Sequence, residues 1–444
     1  MRLMLREIAA VTTGQLHGPD VEICGLCHDS RQIRSGDLFV ALSGEHSDGH
    51  EFARQAVDAG ASAVLAERAL DADIAHVQVE DTQRAMGQIA AHWRKQLDGL
   101  KVVGITGSNG KTTVKEMTAA MLSVAGPTAA TPGNFNNEIG VPLTLSRLSA
   151  DHAYAAVEMG EARSGDIRYL SEMARPQVGV ITNAGPAHLA TMGSLEGVAE
   201  VTGELLAALP ADGTAVINAD DRFADFWSRI AAPRRVITFG IENAADVRGV
   251  PEHGKLRIVI GHEELMFRPA LPGHHNLLNA LAAVAVSCAL DVPLAPAIEA
   301  LERMTGVPGR LQIRHHKNGW AVVDDTYNAN PASLYAGLQV LDELGGERWL
   351  VLGDMAELGQ DTEKLHAEMG QAAADLGVRR LFCLGPISRH SCEAFGAGAV
   401  HYRSHGELLK ALSEEIHAGV NCLVKGSRSM AMEQTVAGLM GGAD

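Results

Sequence analysis

The sequence predicts an α/β protein of three domains, and three observations carry that expectation. The chain has 444 residues, more than one hydrophobic core usually serves. Short continuous apolar runs alternate with helical patterns, as expected of mostly parallel sheets covered on both faces by crossover helices. That alternation changes character near residues 84 and 314, dividing the chain into 1–83, 84–313 and 314–444.

Residues 1–83 mix short strands (VEICGLCH, GDLFVAL, SAVLAE, HVQVE) with a helix at HEFARQAVDAG, a small α/β unit. The helical pattern QRAMGQIAAHWRKQL leads into the central region. There KVVGITG, AYAAVEMG, QVGVITNAG and GTAVINADD read as buried parallel strands, each followed by a loop. Ligands gather at the carboxyl ends of such strands. From residue 314, WAVVDDTYNANP, ERWLVLGDM, RRLFCLGP and NCLVKGS are spaced by helices such as PASLYAGLQVLDEL, a Rossmann-like pattern. No G-x-G-x-x-G follows these strands, which disfavours a nicotinamide enzyme.

Composition narrows the function. Apolar residues make up 46 % and charged residues 20 %, ordinary for a globular protein. Lys plus Arg number 37 against 54 Asp plus Glu, a net charge of −17 that argues against a nucleic-acid partner. The segment MRLMLREIAAVTTG carries Arg2, Arg6 and Glu7 and reads as neither signal nor anchor. The run LLNALAAVAVSCAL is too short to span a bilayer, so no membrane insertion and a cytoplasmic location are expected. Six cysteines do not make a disulfide framework in a chain of this length. Cys24 and Cys27 form a C-x-x-C without a second pair and are expected to be buried thiols, and His315 and His316 surface residues.

The stretch GITGSNGKTTVKEM, residues 104–117, carries the chemistry. A strand runs through Gly107, Ser108, Asn109, Gly110, Lys111, Thr112 and Thr113 into a helix, the order that presents backbone N–H groups and a helix N-terminus to phosphate oxygens. Lys111 is expected to reach the β- and γ-phosphates of ATP, and the Thr112 hydroxyl to ligate Mg²⁺. The central domain is therefore P-loop ATPase-like, although Ile105 stands where the usual consensus has its first Gly. An acidic metal partner is expected at a neighbouring strand end, and Glu158 stands there. Glu161 competes for that role but reads as a solvated loop residue. The next strand brings Asn183 and His188 to the same edge, with His188 a candidate metal or phosphate ligand.

TGSNGKTT, PGNFNNEIGVPLTL, AVEMG, ITNAGPAH, GHHNLLNALAA, GVPGR, VDDTYNANPASL and KGSRSM follow one another in an order that resembles the Mur ligases of peptidoglycan synthesis. The resemblance runs over essentially the whole chain, and the family's own loop form, TG-x-x-GKT[ST], accounts for Ile105. It implies a first domain that binds a nucleotide sugar, with Ser30, Arg31, Asp48, Gly49 and His50 in the matching segments. It implies Asn279, Arg310 and Asp325 as ATP contacts, Asp325 facing the ribose. It implies Asn136 and Asn137 in the muramoyl-peptide channel, and Asn330, Lys425, Ser427 and Arg428 near phosphates or the incoming amine.

The activity implied is ATP-dependent joining of D-alanyl-D-alanine to a UDP-linked muramoyl tripeptide through an acyl phosphate, with Lys111, Glu158, His188 and Arg310 at the reaction and the protein a monomer. A carboxylate is a poor electrophile, so activation by ATP followed by amine attack is chemically apt, and domain closure would exclude water. Two positions depart from the family pattern. Thr202 replaces a Lys that is usually carbamylated to help hold a second Mg²⁺, and Ala190 replaces an acid after the His-Leu pair. The second metal site is then expected to be weakened, or to draw on Glu200 or Glu204. Other readings are the ligase that adds the third amino acid, whose DNPR-type motif is missing here, a folylpolyglutamate synthase, and a non-catalytic ATP-binding module.

Overall fold

The computed structural model describes residues 1–44, 47–186 and 189–441. It is an α/β structure with three main sheets of five, nine and six strands. The N-terminal sheet runs Gln15–His17, His76–Gln78, Ala63–Ala66, Asp37–Val40, Gly25–Cys27, parallel except at its first pair. Helices Leu5–Thr12 and Thr82–Lys95 cover one face and Ala53–Asp58 the other. Asp81 accepts from the Arg84 N–H to cap Thr82–Lys95, and His92, Arg94 and Lys95 in its last turn suit the helix dipole.

The central sheet is built around Lys101–Thr106, flanked in parallel by Tyr154–Glu158 and Val178–Ile181. The chain leaves Lys101–Thr106 on one side and returns on the other, so the loop after it opens at a topological switch point. Val102, Val103 and Ile105 are fully buried, each worth about 1.5–3 kcal/mol of apolar burial. A Cβ at Gly104 would stand 2.9 Å from Leu205 Cδ1, so the glycine lets the covering helix Leu195–Ala207 pack close to the strand. Helices Lys111–Leu122 and His274–Ala289 pack the opposite face.

Beyond Arg235–Gly240 the sheet continues through Val247–Glu252, Lys255–Ile260 and Glu263–Phe267, of which the last two pairings are antiparallel. No strand is assigned here from the sequence, where VRGVPEHGK carries Pro and charges; Pro251 is tolerated in this peripheral part of the sheet.

The third sheet runs Gln312–His315, Ala321–Asp325, Val420–Lys425, Glu347–Gly353, Arg380–Leu384, Ala399–Tyr402, parallel but for its first pair. It therefore begins before residue 314, at an exposed edge strand whose Q-I-R-H pattern carries little apolar signal. His315 is exposed, whereas His316 is half-buried and stacks on Trp320 at 3.9 Å. Among the described residues no helix is long and apolar enough to cross a membrane.

Candidate active site

Two left-handed glycines shape the loop after Lys101–Thr106. Gly107 has φ +128° and Gly110 φ +83°, and a Cβ on them would lie 2.3 Å from Thr182 Oγ1 and 2.5 Å from Asn279 Oδ1 respectively. Asn183 braces the loop: its carbonyl accepts from the Ser108 N–H (3.0 Å), its side-chain oxygen from the Asn109 N–H (3.1 Å). Ser108 and Asn109 thus spend their backbone donors within the protein. The free donors are those of the first turn of Lys111–Leu122, which have no intrahelical acceptor. Lys111 Nζ donates to the Gly107 carbonyl at 2.5 Å and lies 3.7 Å from Glu161 Oε2.

Two carboxylates face this loop. Glu158 ends the strand Tyr154–Glu158 and is 2 % exposed. Its Oε1 accepts from the Thr112 hydroxyl (3.2 Å) and the Asn136 amide (2.8 Å), while Oε2 has no partner among the described residues. Glu161 is a correction: expected as a solvated loop residue, it is 4 % exposed. Its Oε2 accepts from the Thr106 hydroxyl at 3.0 Å, and its Oε1 is unpartnered. The polar neighbours in GEARSGD concealed a burial that comes from Thr106 and Lys111, remote in sequence. His188 lies outside the described residues, as does the side chain of Ala190.

Arg310 reaches the loop from the opposite wall. Its Nη2 donates to Thr112 Oγ1 at 3.4 Å, and its guanidinium stacks 4.0 Å from the Tyr327 ring centroid. Burial raises the Tyr327 phenol pKa. Asn330 caps the helix Pro331–Glu343 and donates from Nδ2 to Asn109 Oδ1 at 2.9 Å. Asp325 and Lys425 stand side by side in register on adjacent parallel strands and form a buried ion pair. Desolvation lowers the Lys425 pKa, opposed by Asp325. Lys425 also donates to the Asn328 carbonyl at 2.9 Å, and Ser427 Oγ accepts from the Ala356 N–H at 2.7 Å.

These residues line two adjoining clefts. A cavity of about 290 Å³ is bounded by Asn109, Gly110, Thr113, Asn279, Asp325 and Lys425 with apolar Phe239, Leu278 and Ala282. His275 also lines it, and desolvation pushes its imidazole down to about 4. A larger cleft of about 600 Å³ holds Ser108, Lys111, Thr112, Asn136, Asn137, Glu158, Glu161, Asn330, Ser427 and Arg428. Asn109, Gly110 and Arg310 line both. Asn137 is partly committed to structure, its Oδ1 accepting from the Gly140 N–H at 2.9 Å. Arg428 is exposed and paired with Glu433.

The N-terminal candidates lie in the lining of neither cleft. Ser30 and Arg31 follow the strand Gly25–Cys27, and Asp48, Gly49 and His50 follow Asp37–Val40, so both groups sit beyond the carboxyl edge of the first sheet. Arg31 pairs with Asp29 at 2.8 Å and holds the Asp29 carboxyl at about 2. Asp48 accepts from the His50 backbone (3.0 Å) and ring (2.6 Å) and pairs with Arg68 at 2.9 Å. A Cβ at Gly49 would meet Leu42 backbone atoms at 2.7 Å. Of the C-x-x-C pair, Cys27 is buried with its thiol pKa raised by desolvation, but Cys24 is exposed, contrary to expectation.

The two family departures resolve as follows. Thr202 is fully buried and its hydroxyl donates to Val198 and Ala199 carbonyls of its own helix at 3.0 and 3.1 Å. Glu204 caps the helix Asp166–Ala174, one oxygen accepting from the Gly165 N–H (2.9 Å) and the other from Arg168 (3.0 Å). Glu200 is exposed. The expected substitution by Glu200 or Glu204 is therefore not what this packing provides.

The donor set tests well for the ions the loop implies. A buried carboxylate with a free oxygen, Glu158, beside the Thr112 hydroxyl makes an oxygen donor pair suited to Mg²⁺, and the adjoining cavity is polar at the loop and apolar beyond it, as a nucleotide requires.

Fold and site together define a three-domain enzyme with a nucleotide-type phosphate loop closed over by a second α/β domain, and the chain belongs to the Mur ligase family. Family profiles match as "Mur ligase family, catalytic domain" over residues 22–94, "Mur ligase middle domain" over 105–287 and "Mur ligase, glutamate ligase domain" over 309–428. The chain is 40 % identical to the UDP-N-acetylmuramoyl-tripeptide--D-alanyl-D-alanine ligase of Escherichia coli (strain K12), over 98 % of each chain. It superposes on the crystal structure of MurF from Acinetobacter baumannii with a TM-score of 0.92, at 33 % identity and 99 % coverage of both chains. The MurF ligase of Thermotoga maritima in complex with ADP matches with a TM-score of 0.83 at 27 % identity, covering 94 % of this chain and 97 % of that one.

Proposed function

We propose that this protein is the ATP-dependent ligase that joins D-alanyl-D-alanine to UDP-N-acetylmuramoyl-tripeptide, giving the UDP-muramoyl pentapeptide of peptidoglycan synthesis. The observation that carries the reading is the meeting of Lys111, Thr112, Glu158 and Arg310 at one cleft mouth, in a chain alike over its full length to ligases of that name.

ATP occupies the smaller cavity with its phosphates at the loop. Asn279 and Asp325 line the adenosine end, Thr113 and the helix N-terminus face the phosphates, and Lys111 reaches the terminal phosphate. Thr112, Glu158 and His188 would hold Mg²⁺, which would supply charge neutralisation to those phosphates. A carboxylate oxygen of the tripeptide attacks the γ-phosphorus, and the bond to ADP breaks. The dipeptide amine then attacks the acyl carbon, the C–O bond to phosphate breaks, and the amine proton passes to solvent or a base. Arg310, held by Tyr327, stabilises the charge that develops on the transferred group. Asn136, Asn137, Asn330 and Ser427 line the path of the peptide substrates, Lys425 stands with Asp325 at the nucleotide cavity, and Ser30, Arg31, Asp48, Gly49 and His50 hold the UDP moiety.

The reading includes domains of 1–83, 84–313 and 314–444, a monomeric enzyme, a cytoplasmic location and no nucleic-acid partner, the last supported by the net charge of −17. The test is phosphate release from ATP and Mg²⁺ with the tripeptide and dipeptide supplied separately and together, with product mass recorded. Release only with both, and a pentapeptide mass, is expected; ATP binding without product from a tripeptide ending in diaminopimelate or from one ending in lysine would refute the ligase.

A further inference from the structure

The cleft contains a carboxylate for which the proposed function has no use. Glu161 is nearly as buried as Glu158, and each leaves one oxygen without a hydrogen bond among the described residues. An unsatisfied buried polar atom is costly, and more so when charged. Native proteins keep few of them, so two on neighbouring acids in one cleft point to something that binds there.

We infer that Glu161 is a cation-binding residue: with Glu158 it holds the divalent ion that accompanies ATP, and the ammonium of Lys111 balances its charge when that ion is absent. The inference rests on the ATP-dependent reading above. Three observations carry it. Thr106 donates to Glu161 Oε2 at 3.0 Å and so fixes the carboxylate, leaving Oε1 free. The cation facing Glu161 among the described residues is Lys111, at 3.7 Å, whose ammonium also donates to the Gly107 carbonyl. The other oxygens that might have served are spent, since Glu204 caps a helix and Thr202 bonds within its own.

Charge bookkeeping gives the order of events. When Lys111 turns to a phosphate, Glu161 is left as a buried anion without a counter-charge, a strongly unfavourable arrangement. A divalent cation arriving with the nucleotide restores neutrality at that point. The ammonium and the metal ion therefore exchange at one carboxylate, and loading of metal and of nucleotide are coupled.

The test is direct binding of Mn²⁺ to the full chain, read by electron paramagnetic resonance with a non-hydrolysable ATP analogue present. Glu161→Gln keeps the acceptor for Thr106 and removes the charge. It is expected to weaken Mn²⁺ at least about tenfold, and to raise the Mg²⁺ concentration needed for half-maximal phosphate release in proportion. Unchanged Mn²⁺ affinity in Glu161→Gln overturns the inference, as does a wild-type protein that binds the analogue but no Mn²⁺. If the Gln variant does not fold, Glu161→Asp and Glu161→Ala decide: affinity must be higher with the carboxylate, and equal affinities overturn the inference. Because binding is read without turnover, a protein that makes no pentapeptide yet loses Mn²⁺ on Glu161→Gln refutes the ligase and leaves this site standing.

Discussion

Asn330 donates a 2.9 Å hydrogen bond to the side chain of Asn109 across 221 positions of chain, tying the third domain to the phosphate loop. The same residue caps its helix in a reciprocal arrangement with Ser333. The two duties are separable. Asn330→Ser keeps a good cap and is too short to reach Asn109, so it should leave thermal stability unchanged and raise the KM for ATP about 2- to 10-fold. Asn330→Ala loses both and should in addition cost about 1 kcal/mol. Steady-state kinetics with a denaturant melt checks both; equal melting and equal KM in the Ser variant would show that the contact is idle.

In the proposed function Lys111 serves phosphate rather than core. Lys111→Ala should lower turnover by at least about 10²–10³-fold while the protein still folds. It also leaves Glu161 buried without its ammonium, so a stability loss of about 1–3 kcal/mol is expected. The double variant Lys111→Ala with Glu161→Gln should recover much of that loss and none of the activity, a comparison read from two melting curves and one assay.

Gly107 tests the shape of the loop. With φ +128° and a would-be Cβ 2.3 Å from Thr182 Oγ1, Gly107→Ala must move the backbone that Asn183 braces. A cost of about 1–3 kcal/mol is expected, together with loss of the rise in melting temperature that an ATP analogue gives the wild type. A retained thermal shift would mean that the loop tolerates the left-handed alanine.

His275 makes stability depend on pH. Desolvation lowers its pKa from 6.5 to about 4, so between those values the unfolded chain binds a proton that the folded one does not. Stability should therefore rise as pH increases from about 4 to 6.5, and this contribution should be flat above. At 1.36 kcal/mol per unit the effect is on the order of 3 kcal/mol. His275→Gln should remove that part of the slope, measured as the difference between the two proteins' unfolding free energies at pH 4.5 and 7; parallel profiles would discount it.

Much of the architecture was legible because buried parallel strands print continuous apolar runs, and because Gly107 and Gly110 occupy backbone positions that few other residues suit. Features that depend on long-range partners were not. Glu161 sits among polar neighbours and is buried by Thr106 and Lys111, which no local pattern records. Asn183 reads as one more polar residue at a strand end, yet it spends both oxygens on the loop. The meander Val247–Phe267 carries Pro and charges because it extends the far part of the sheet, where the apolar signal fades. Asp325 and Lys425 each suggested a ligand contact, and only the strand order shows that they neutralise one another.

That strand order also sets a timetable. Val420–Lys425 is the last strand of its sheet to leave the ribosome, yet it lies between Ala321–Asp325 and Glu347–Gly353. A nascent chain that has reached Gly419 holds the phosphate loop, Arg310 and five of the six strands of the third sheet, with a gap where Val420–Lys425 belongs. Asp325 then has no Lys425 beside it, and two strand edges stand open. The third sheet of a growing chain thus closes late and in one step, when Val420–Lys425 enters between two strands already made and brings Lys425 to Asp325.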